Sequence, residues 1–381
     1  MINPIPLSLY IHIPWCVRKC PYCDFNSHTL KKEENHEAEY IDTLIADFLE
    51  SLNDIQGRRL HSVFLGGGTP SLFKPESYER LFNVIFQNVP TEKNIEITLE
   101  GNPGTVDMNY FKGYREVGIN RLSLGVQSFA PEKLKQLGRI HSSEQAKNAF
   151  YMAREVGFDN INIDLMFGLP DQTMKEALMD IEQAIRLNPE HLSWYQLTLE
   201  PNTIFYKRPP KLPDEEKLWE IEVEGKKVIE QNYQQYEISA YSKPNQYSRH
   251  NLNYWLFGDY IGIGAGAHGK ITVIEDNTFK IMRSQKKRQP ADYMNNKKTK
   301  VAQISEVPSK EILFEFMLNA LRLYQPIPYA LLMQRTALHE KDYQEKLIYA
   351  KNKGLLIGDE KNFWVTSLGH QYLNDLQESF L

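Results

Sequence analysis

Between residue 7 and about residue 200, the sequence alternates short β-branched runs with longer amphipathic stretches. This alternation is typical of βα units, in which helices pack against a parallel sheet. Helical stretches follow the first five predicted strands, for example at 37–52, 75–87 and 173–187. The chain is therefore predicted to have an α/β fold. The predicted strands are Leu7–Ile13, Leu60–Leu65, Asn94–Glu100, Arg121–Val126, Ile161–Phe167 and His191–Leu199.

Small or polar residues follow the predicted strands at their carboxyl ends. They are a cysteine loop at 16–23, Gly66–Pro70, Glu100–Pro103, Gly125–Ser128 and Asp164. In a β/α barrel the carboxyl ends of the parallel strands all face one mouth. Segments that lie far apart in the sequence are therefore expected to form one site.

The three cysteines of the 381-residue chain, Cys16, Cys20 and Cys23, lie together in one short segment. A disulfide would leave one cysteine over, and so few cysteines are not typical of an oxidised scaffold. A structural zinc site needs a fourth ligand, which His12 or His28 could supply, but an isolated half-site is a poor folding nucleus. In a [4Fe–4S] cluster, three thiolates bind three irons and leave the fourth iron open to a small molecule. The cysteine spacing favours such a cluster.

The charge balance and the apolar start of the chain restrict its partners and location. The chain carries 44 basic and 49 acidic residues, for a net charge of −5, so no nucleic-acid partner is expected. The apolar segment from Ile5 to Trp15 is too short to span a bilayer and lacks the basic segment of a signal peptide. We expect no stable membrane insertion and predict a cytoplasmic protein, since thiols stay reduced in that compartment.

The length of the chain predicts a division into domains, because hydrophobic cores of more than about 250–300 residues usually split. Residues 1–235 are predicted to form the barrel core, and prolines between 201 and 213 interrupt its βα pattern. Residues 236–304 are interpreted as a connecting segment, with a glycine-rich stretch at 262–269 and a hairpin from Lys270 to Met282. Residues 305–381 are predicted to form three helices, a hairpin and a final helix, an order that suits a small, mainly helical, winged-helix-like domain.

The Cys-x3-Cys-x2-Cys motif after the first strand, with a glycine-rich turn after the second, resembles the radical S-adenosylmethionine superfamily. The resemblance covers about the first 200 residues and implies a partial (β/α)6 TIM-like barrel. It implies that Cys16, Cys20 and Cys23 bind a [4Fe–4S] cluster, and that the methionine end of S-adenosylmethionine chelates the open iron. In this superfamily, one-electron reduction cleaves the sulfonium to a 5′-deoxyadenosyl radical, so an electron donor is an implied partner.

Further motifs at 10–16, 66–70, 125–129 and 162–170 resemble the oxygen-independent coproporphyrinogen III dehydrogenases and the related HemW-type heme chaperones. The resemblance implies that Tyr10 and Tyr22 flank the cluster. It also assigns contacts with S-adenosylmethionine, because carboxylates can bind a ribose diol or an ammonium and arginine can bind a carboxylate. The residues assigned in this way are Gly67, Gly68, Thr69, Glu100, Gln127, Arg139 and Asp164, and Leu197 and His268 align with further cofactor contacts.

Two features separate the chain from the dehydrogenases. They have a fourth cysteine two positions after the third, where this chain has Phe25, and an N-terminal extension, whereas the first strand here begins at residue 7. The segment from His250 to Trp255 instead matches the His-Asn-x-x-Tyr-Trp motif of the HemW-type chaperones. An imidazole is the commonest axial heme ligand, and aromatic rings can pack on the macrocycle.

The resemblance therefore implies a heme chaperone that delivers heme to apo-hemoproteins, such as respiratory enzymes, with His250 as a heme contact. The alternative interpretation of the six-residue motif is a loop histidine beside aromatic core anchors. The alternative function is an oxygen-independent coproporphyrinogen III dehydrogenase. No catalytic residue is assigned, since Phe25 stands where the dehydrogenases have a cysteine.

Overall fold

The computed structural model describes residues 5–30, 36–275, 278–295 and 297–381. Within these residues, a twelve-stranded sheet dominates the fold. Its strands are β1 Leu7–Ile13, β2 Leu60–Gly67, β3 Thr91–Gly101, β4 Arg121–Gln127, β5 Ile161–Phe167, β6 His191–Gln196, β7 Gln234–Glu237, β8 Ala240–Ser242, β9 Asp259–Ile263, β10 His268–Glu275, β11 Thr278–Lys286 and β12 Val301–Glu306.

Strands β1 to β6 are parallel neighbours in chain order, which confirms the predicted α/β fold with a partial (β/α)6 barrel. One face of β1 is formed by Leu7, Leu9, Ile11 and Ile13, which are all inaccessible to solvent. The other face carries Ser8 and His12, which are polar and also buried.

Strands β1 and β5 have the predicted bounds, whereas β6 ends at Gln196 and not at Leu199 as predicted. After Gln196 the backbone leaves the sheet, and Leu197 and Leu199 pack in a small separate cluster with Tyr22 and Phe205. The last residues of the predicted strand therefore belong to the loop that follows β6.

Helices cover the sheet, and several begin at a side-chain cap. Ser142 and Thr173 each accept a hydrogen bond from a backbone N–H in the first turn of the helix that they cap, and each forms a capping box. The helices of this part of the chain are Glu37–Glu50, Leu52–Ile55, Pro75–Asn88, Met108–Glu116, Pro131–Gln136, Ser143–Glu155, Met174–Leu187, Ile204–Lys207, Glu215–Ile229, Arg249–Trp255 and Pro290–Tyr293, with a 3-10 turn at Pro70–Leu72.

The segment after residue 236 adds further strands to both sides of the sheet. The sheet order is β12-β11-β10-β9-β1-β2-β3-β4-β5-β6-β8-β7, so β9 lies parallel beside β1 and begins an antiparallel extension. The predicted hairpin corresponds to β10 and β11, while its turn at residues 276 and 277 lies outside the described residues. This extension places β10 and β11 beside the cysteine loop.

The C-terminal part has its own apolar core, which includes Phe316, Leu332, Leu347 and Phe363. It contains the three helices and the hairpin in the predicted order, but a short strand follows the first helix and two short helices stand in place of the single final one. Arg283 on β11 forms an ion pair with Glu315, which joins this part to the sheet. No described helix is long and apolar enough to cross a membrane. The elements are a 3-10 turn at Ser309–Glu311, helices Ile312–Ala320, Tyr329–Thr336, Glu340–Asn352, Ser367–Gln371 and Leu373–Glu378, and strands Ile327–Pro328, Leu356–Gly358 and Asn362–Val365.

Candidate functional site

The cysteine loop leaves the end of β1 and is held against the sheet at both of its ends. Trp15–Cys16 pairs with His28–Thr29 as a short parallel ladder. The ammonium of Lys19 donates hydrogen bonds to the carbonyl oxygens of Phe25 and Ser27. The loop is therefore closed on itself, and the three cysteines that it carries are free thiols, each half-buried.

One cavity of about 330 Å³ gathers the thiols and most of the predicted cofactor contacts. It lies at the carboxyl ends of the parallel strands, the position expected for the functional mouth of a β/α barrel. Tyr10 lines a neighbouring cavity, and Leu197 and His250 line neither of the two. The predicted site residues that line the first cavity are Cys16, Cys20, Cys23, Tyr22, Gly67, Gly68, Thr69, Glu100, Gln127, Arg139 and Asp164.

The thiols suit a multinuclear cluster. Burial raises the pKa of the Cys16 and Cys23 thiols, so binding iron as thiolates would release protons. Within the described part of the chain, no three His, Cys, Asp or Glu side chains converge on a point that would hold a single metal ion. A [4Fe–4S] cube places its thiolates on separate irons and does not require such convergence.

The glycine turn after β2 packs directly against the cysteine loop. The N–H groups of Gly68 and Thr69 donate to the carbonyl oxygens of Ile13 and Trp15, at 2.7 and 2.8 Å. A Cβ on Gly67, whose φ is +111°, would lie 2.4 Å from the ring of His12. Glycine is therefore required here by close approach and by backbone conformation. Because these N–H groups already donate hydrogen bonds within the protein, the turn would contact a ligand through its oxygen atoms, as hydrogen-bond acceptors.

Two buried carboxyl groups, Glu100 and Asp164, face this cavity. Burial and the nearby charge of Asp164 raise the pKa of Glu100 to about 7, although the Gly67 N–H donates to its Oε2 at 3.1 Å. Burial also raises the pKa of Asp164, against the effect of hydrogen bonds from Asn162 and Ser123 at 2.7 and 2.9 Å. Two desolvated acids close together favour a cationic ligand, because a positive charge would stabilise both ionised forms.

Gln127 and Arg139 form another part of the cavity wall. Gln127 has a left-handed backbone, with φ of 69°, and its side-chain oxygen accepts a hydrogen bond from the Tyr195 hydroxyl at 2.8 Å. Such strain in a non-glycine residue is typical of functional sites. Arg139 donates to Cys20 Sγ at 3.7 Å, and its Nε is buried without a hydrogen-bond partner among the described residues. That unsatisfied donor suits an anionic group such as a carboxylate.

Two residues that support this wall, Asp180 and Ser193, were not identified from the sequence. Ser128 and the Phe129 N–H hydrogen-bond to the buried carboxylate of Asp180, at 2.6 and 2.7 Å, which fixes the turn after Gln127. Ser193 on β6 lies beside Asp164 in the register of the sheet. Strand register could have identified Ser193, because the pairing of β5 with β6 makes Asp164 and Ser193 neighbours.

A second, larger cavity of about 610 Å³ lies beside the first and shares Phe25, Gly67 and Glu100 with it. Tyr254 and Trp255 of the His-Asn-x-x-Tyr-Trp segment contribute to its wall. That segment is helical, so His250 and Tyr254, four residues apart, share a face of the helix. The two cavities are adjacent, and the aromatic half of the motif faces the larger one.

His250 itself is buried behind this wall. Its Nδ1 hydrogen-bonds with Ser62 Oγ at 2.9 Å and its Nε2 with the Tyr254 hydroxyl at 2.8 Å. Its ring stacks on Phe64, with centroids 4.9 Å apart. Burial lowers the pKa of His250 to about 3, so the ring is neutral. Both nitrogens are engaged in this conformation, and the assignment of His250 as a heme contact stays a prediction.

Comparison with known proteins identifies the family. The Radical SAM superfamily profile matches residues 10–184, and the HemN C-terminal domain profile matches residues 307–372. The protein named heme chaperone HemW from Escherichia coli is 47% identical over 382 residues, which cover 100% of both chains. The chain belongs to the HemW family. The HemW protein of Haemophilus influenzae is also 47% identical, over 99% of this chain and 98% of its own length.

Other comparisons place the HemW family within a wider fold. The HemW protein of Bacillus subtilis is 39% identical over 270 residues, which cover 69% of this chain and 71% of that protein. The solved structure of coproporphyrinogen III oxidase (HemN) from Escherichia coli matches with a TM-score of 0.82 at 24% identity, covering 99% of this chain and 90% of that one. At this identity the match establishes a shared fold. Membership of the radical SAM superfamily implies a [4Fe–4S] cluster and S-adenosylmethionine.

Proposed function

We propose that this protein is a heme chaperone, which holds a [4Fe–4S] cluster and S-adenosylmethionine, binds heme and delivers it to apo-hemoproteins. The observation that carries the proposal is the position of the His-Asn-x-x-Tyr-Trp segment, whose Tyr254 and Trp255 line a cavity adjacent to the cysteine cavity. Relatives that are 47% identical over nearly the whole chain are named heme chaperones, which supports the same role here.

In this proposal Cys16, Cys20 and Cys23 bind the cluster. All three thiols line one cavity, and Arg139 lies within hydrogen-bonding distance of Cys20. A hydrogen bond from a cationic donor to a cluster thiolate raises the reduction potential of the cluster, because it stabilises the added electron. Arg139 would therefore assist the acceptance of an electron from the partner that reduces the cluster.

S-adenosylmethionine would occupy the remainder of the same cavity. When bound, it supplies a sulfonium that one-electron reduction can cleave. Glu100 and Asp164 provide negative charge for its cationic groups, and the unsatisfied Nε of Arg139 can bind its carboxylate. Tyr22 closes the cavity beside the thiols.

We propose a cytoplasmic location and respiratory enzymes as acceptors. The free thiols and the half-exposed cluster loop suit a reducing compartment. Phe25 stands where the dehydrogenases have a fourth cysteine, so we do not propose coproporphyrinogen III decarboxylation.

Heme transfer tests the proposal directly. Anaerobically reconstituted protein is loaded with heme and mixed with the apoprotein of a respiratory hemoprotein, with heme–albumin as the control donor. The expected result is faster appearance of the acceptor's absorption spectrum than from heme–albumin. Equal or slower transfer from the loaded protein would contradict the chaperone role.

The alternative function needs a separate assay. Reconstituted protein is incubated with coproporphyrinogen III, S-adenosylmethionine and a reductant under strict anaerobiosis, and the porphyrinogen products are measured. We expect no protoporphyrinogen, and substantial turnover would overturn the proposal in favour of the dehydrogenase.

In the same preparations, His250→Ala is expected to weaken heme binding, since Tyr254 loses the hydrogen bond that holds it in the cavity wall.

A further inference from the structure

The larger cavity has the size and position expected of a cofactor or substrate site. Its volume of about 610 Å³ lies within the ~300–1,000 Å³ typical of pockets that bury a small-molecule ligand. Strands β10 and β11, residues Asp24–Asn26 after the cysteine loop and the helix Ile312–Ala320 all contribute to its wall. It opens beside the cluster cavity, with which it shares Phe25.

Aromatic rings line this cavity. Phe25 exposes 61% of its surface although it is a large apolar residue. Tyr254 packs edge-on against Tyr260, with ring centroids 4.6 Å apart, and both residues line the cavity together with Trp255. Of these rings, Phe25 is exposed and the others are partly buried. Aromatic rings around a concave surface favour a flat apolar ligand, because stacking removes ring surface from water.

His268 provides an imidazole at the start of β10. It is exposed to the cavity, and its ring makes no hydrogen bond with any other described residue. The other imidazole that lines the cavity, His12, differs in this respect. Its nitrogens hydrogen-bond with the Tyr10 hydroxyl at 3.0 Å and the Asn26 carbonyl oxygen at 2.9 Å. His268 is therefore the imidazole that is free to bind a ligand in this cavity.

Asp24 and Glu100 line the cavity, but beside His268 it also carries a cation that can bind a carboxylate of the ligand. Arg288 lines the cavity with an exposed guanidinium that forms no ion pair within the described part of the chain. Arg283 also lines it, but Glu315 already neutralises that charge. Partial burial and these two arginines lower the pKa of His268, which keeps its ring in the neutral form that binds metals. Lys270 is buried and paired with Asp259 at 2.9 Å.

We propose that this cavity is the heme site, that His268 binds the heme iron as an axial ligand, and that Arg288 binds a heme propionate. This inference rests on the proposed heme-chaperone function and specifies its binding site. Phe25 and Tyr254 would then pack against the macrocycle, and the iron would lie near the cluster cavity because the two cavities share a wall.

A heme titration of the cluster-loaded protein tests the assignment, with absorption and paramagnetic-resonance spectra recorded at each step. His268→Ala is expected to weaken heme binding at least ~10-fold and to abolish the spectral signature of histidine ligation. Added imidazole is expected to restore that signature. His339→Ala, which removes an exposed imidazole that does not line the cavity, is the matched control and is expected to behave as the wild type.

Arg288→Ala is expected to weaken heme binding about 3- to 10-fold while the ligation signature remains, because a propionate contact does not touch the iron. Retained iron content and circular dichroism establish that each variant is folded and holds its cluster. Wild-type affinity and spectrum in His268→Ala would overturn the inference and leave the chaperone function standing. Absence of heme binding by the wild type would overturn the proposed function as well.

Discussion

At the scale of single residues, the protonation of Glu100 is expected to make cofactor affinity depend on pH. Its pKa is raised to about 7, above the ordinary value of about 4.3 for a glutamate, by burial and by the charge of Asp164. A cationic ligand binds the ionised carboxylate of Glu100 more tightly than the protonated form. At low pH, ligand binding therefore releases a proton from Glu100. We expect the affinity for S-adenosylmethionine to rise up to ~10-fold between pH 6 and pH 8, and to level off above.

Calorimetric titration of the cluster-loaded protein across this range measures the effect. Glu100→Gln is the matched variant, because it keeps the size of the side chain and removes the titrating group. It is expected to bind more weakly and with little dependence on pH. A wild-type affinity that stays constant from pH 6 to pH 8 would remove Glu100 from the cofactor contacts.

His250 is expected to control stability in acid. Its pKa is about 3 in the folded chain, against about 6.5 in an unfolded one, because its ring is buried. Below pH 6.5 the unfolded chain binds a proton that the folded chain excludes, so the free energy of unfolding falls as pH falls. One histidine of this kind costs about 1.4 kcal/mol at pH 5.5 and almost nothing at pH 7.5.

Urea unfolding of cluster-loaded wild type and His250→Gln at these two pH values checks the effect. The loss of stability between pH 7.5 and pH 5.5 should be smaller by about 1.3 kcal/mol in the variant, since glutamine does not titrate. His339→Gln, at an exposed position, is the control and should keep the wild-type loss. Equal losses in all three proteins would show that His250 is not buried as described.

At the scale of elements, the glycine turn after β2 determines how closely the sheet approaches the cysteine loop. Gly67→Ala would place a Cβ 2.4 Å from the ring of His12, in addition to the strain of its positive φ. Gly118 offers a matched control, because its φ is +100° and a Cβ there would meet nothing within 4 Å. The difference between the two alanine variants therefore isolates the steric clash.

We expect Gly67→Ala to lower the free energy of unfolding by at least ~1–3 kcal/mol more than Gly118→Ala, and to reduce the affinity for S-adenosylmethionine at least ~10-fold. Chemical denaturation and calorimetry measure the two effects. Equal stability and affinity in the two variants would mean that the turn does not press against the loop.

Strand ends and strand register explain what the sequence could and could not predict. Six β-branched runs predicted the parallel strands because each strand contributes apolar side chains to one buried core. The motifs at their ends placed the cysteines, Gly67, Glu100, Gln127, Arg139 and Asp164 around one cavity. The sequence did not indicate Tyr195 or Asp180 as site residues, because their contacts with the site depend on tertiary packing. The sequence contains the motif of His250 but does not indicate that the ring is buried. The burial arises because the ring contacts Ser62 and Phe64 of β2.

At the scale of the whole molecule, the C-terminal part closes one side of the larger cavity. The ion pair between Arg283 and Glu315 joins it to β11, and Leu318 of the same helix lines the cavity. Glu315→Gln is expected to lower the free energy of unfolding by about 1 kcal/mol or less, because the pair is partly exposed, and to weaken heme binding a few-fold.

Glu306→Gln is the matched control, since Glu306 pairs with Lys280 at 3.3 Å within the sheet and not with the C-terminal part. It is expected to leave heme affinity unchanged in the titration. Identical heme affinity in the two variants would contradict a role for the Arg283–Glu315 pair in closing the cavity.

The central claim concerns the cysteine loop: three thiolates hold a cube whose open iron binds S-adenosylmethionine. The most direct measurement is a paramagnetic-resonance spectrum of anaerobically reconstituted, reduced protein before and after S-adenosylmethionine is added, with iron and zinc content determined on the same sample. The account predicts about four irons per chain and a [4Fe–4S]⁺ signal that changes when the cofactor is added. Zinc in place of iron, or a cluster signal that the cofactor leaves unchanged, would contradict it.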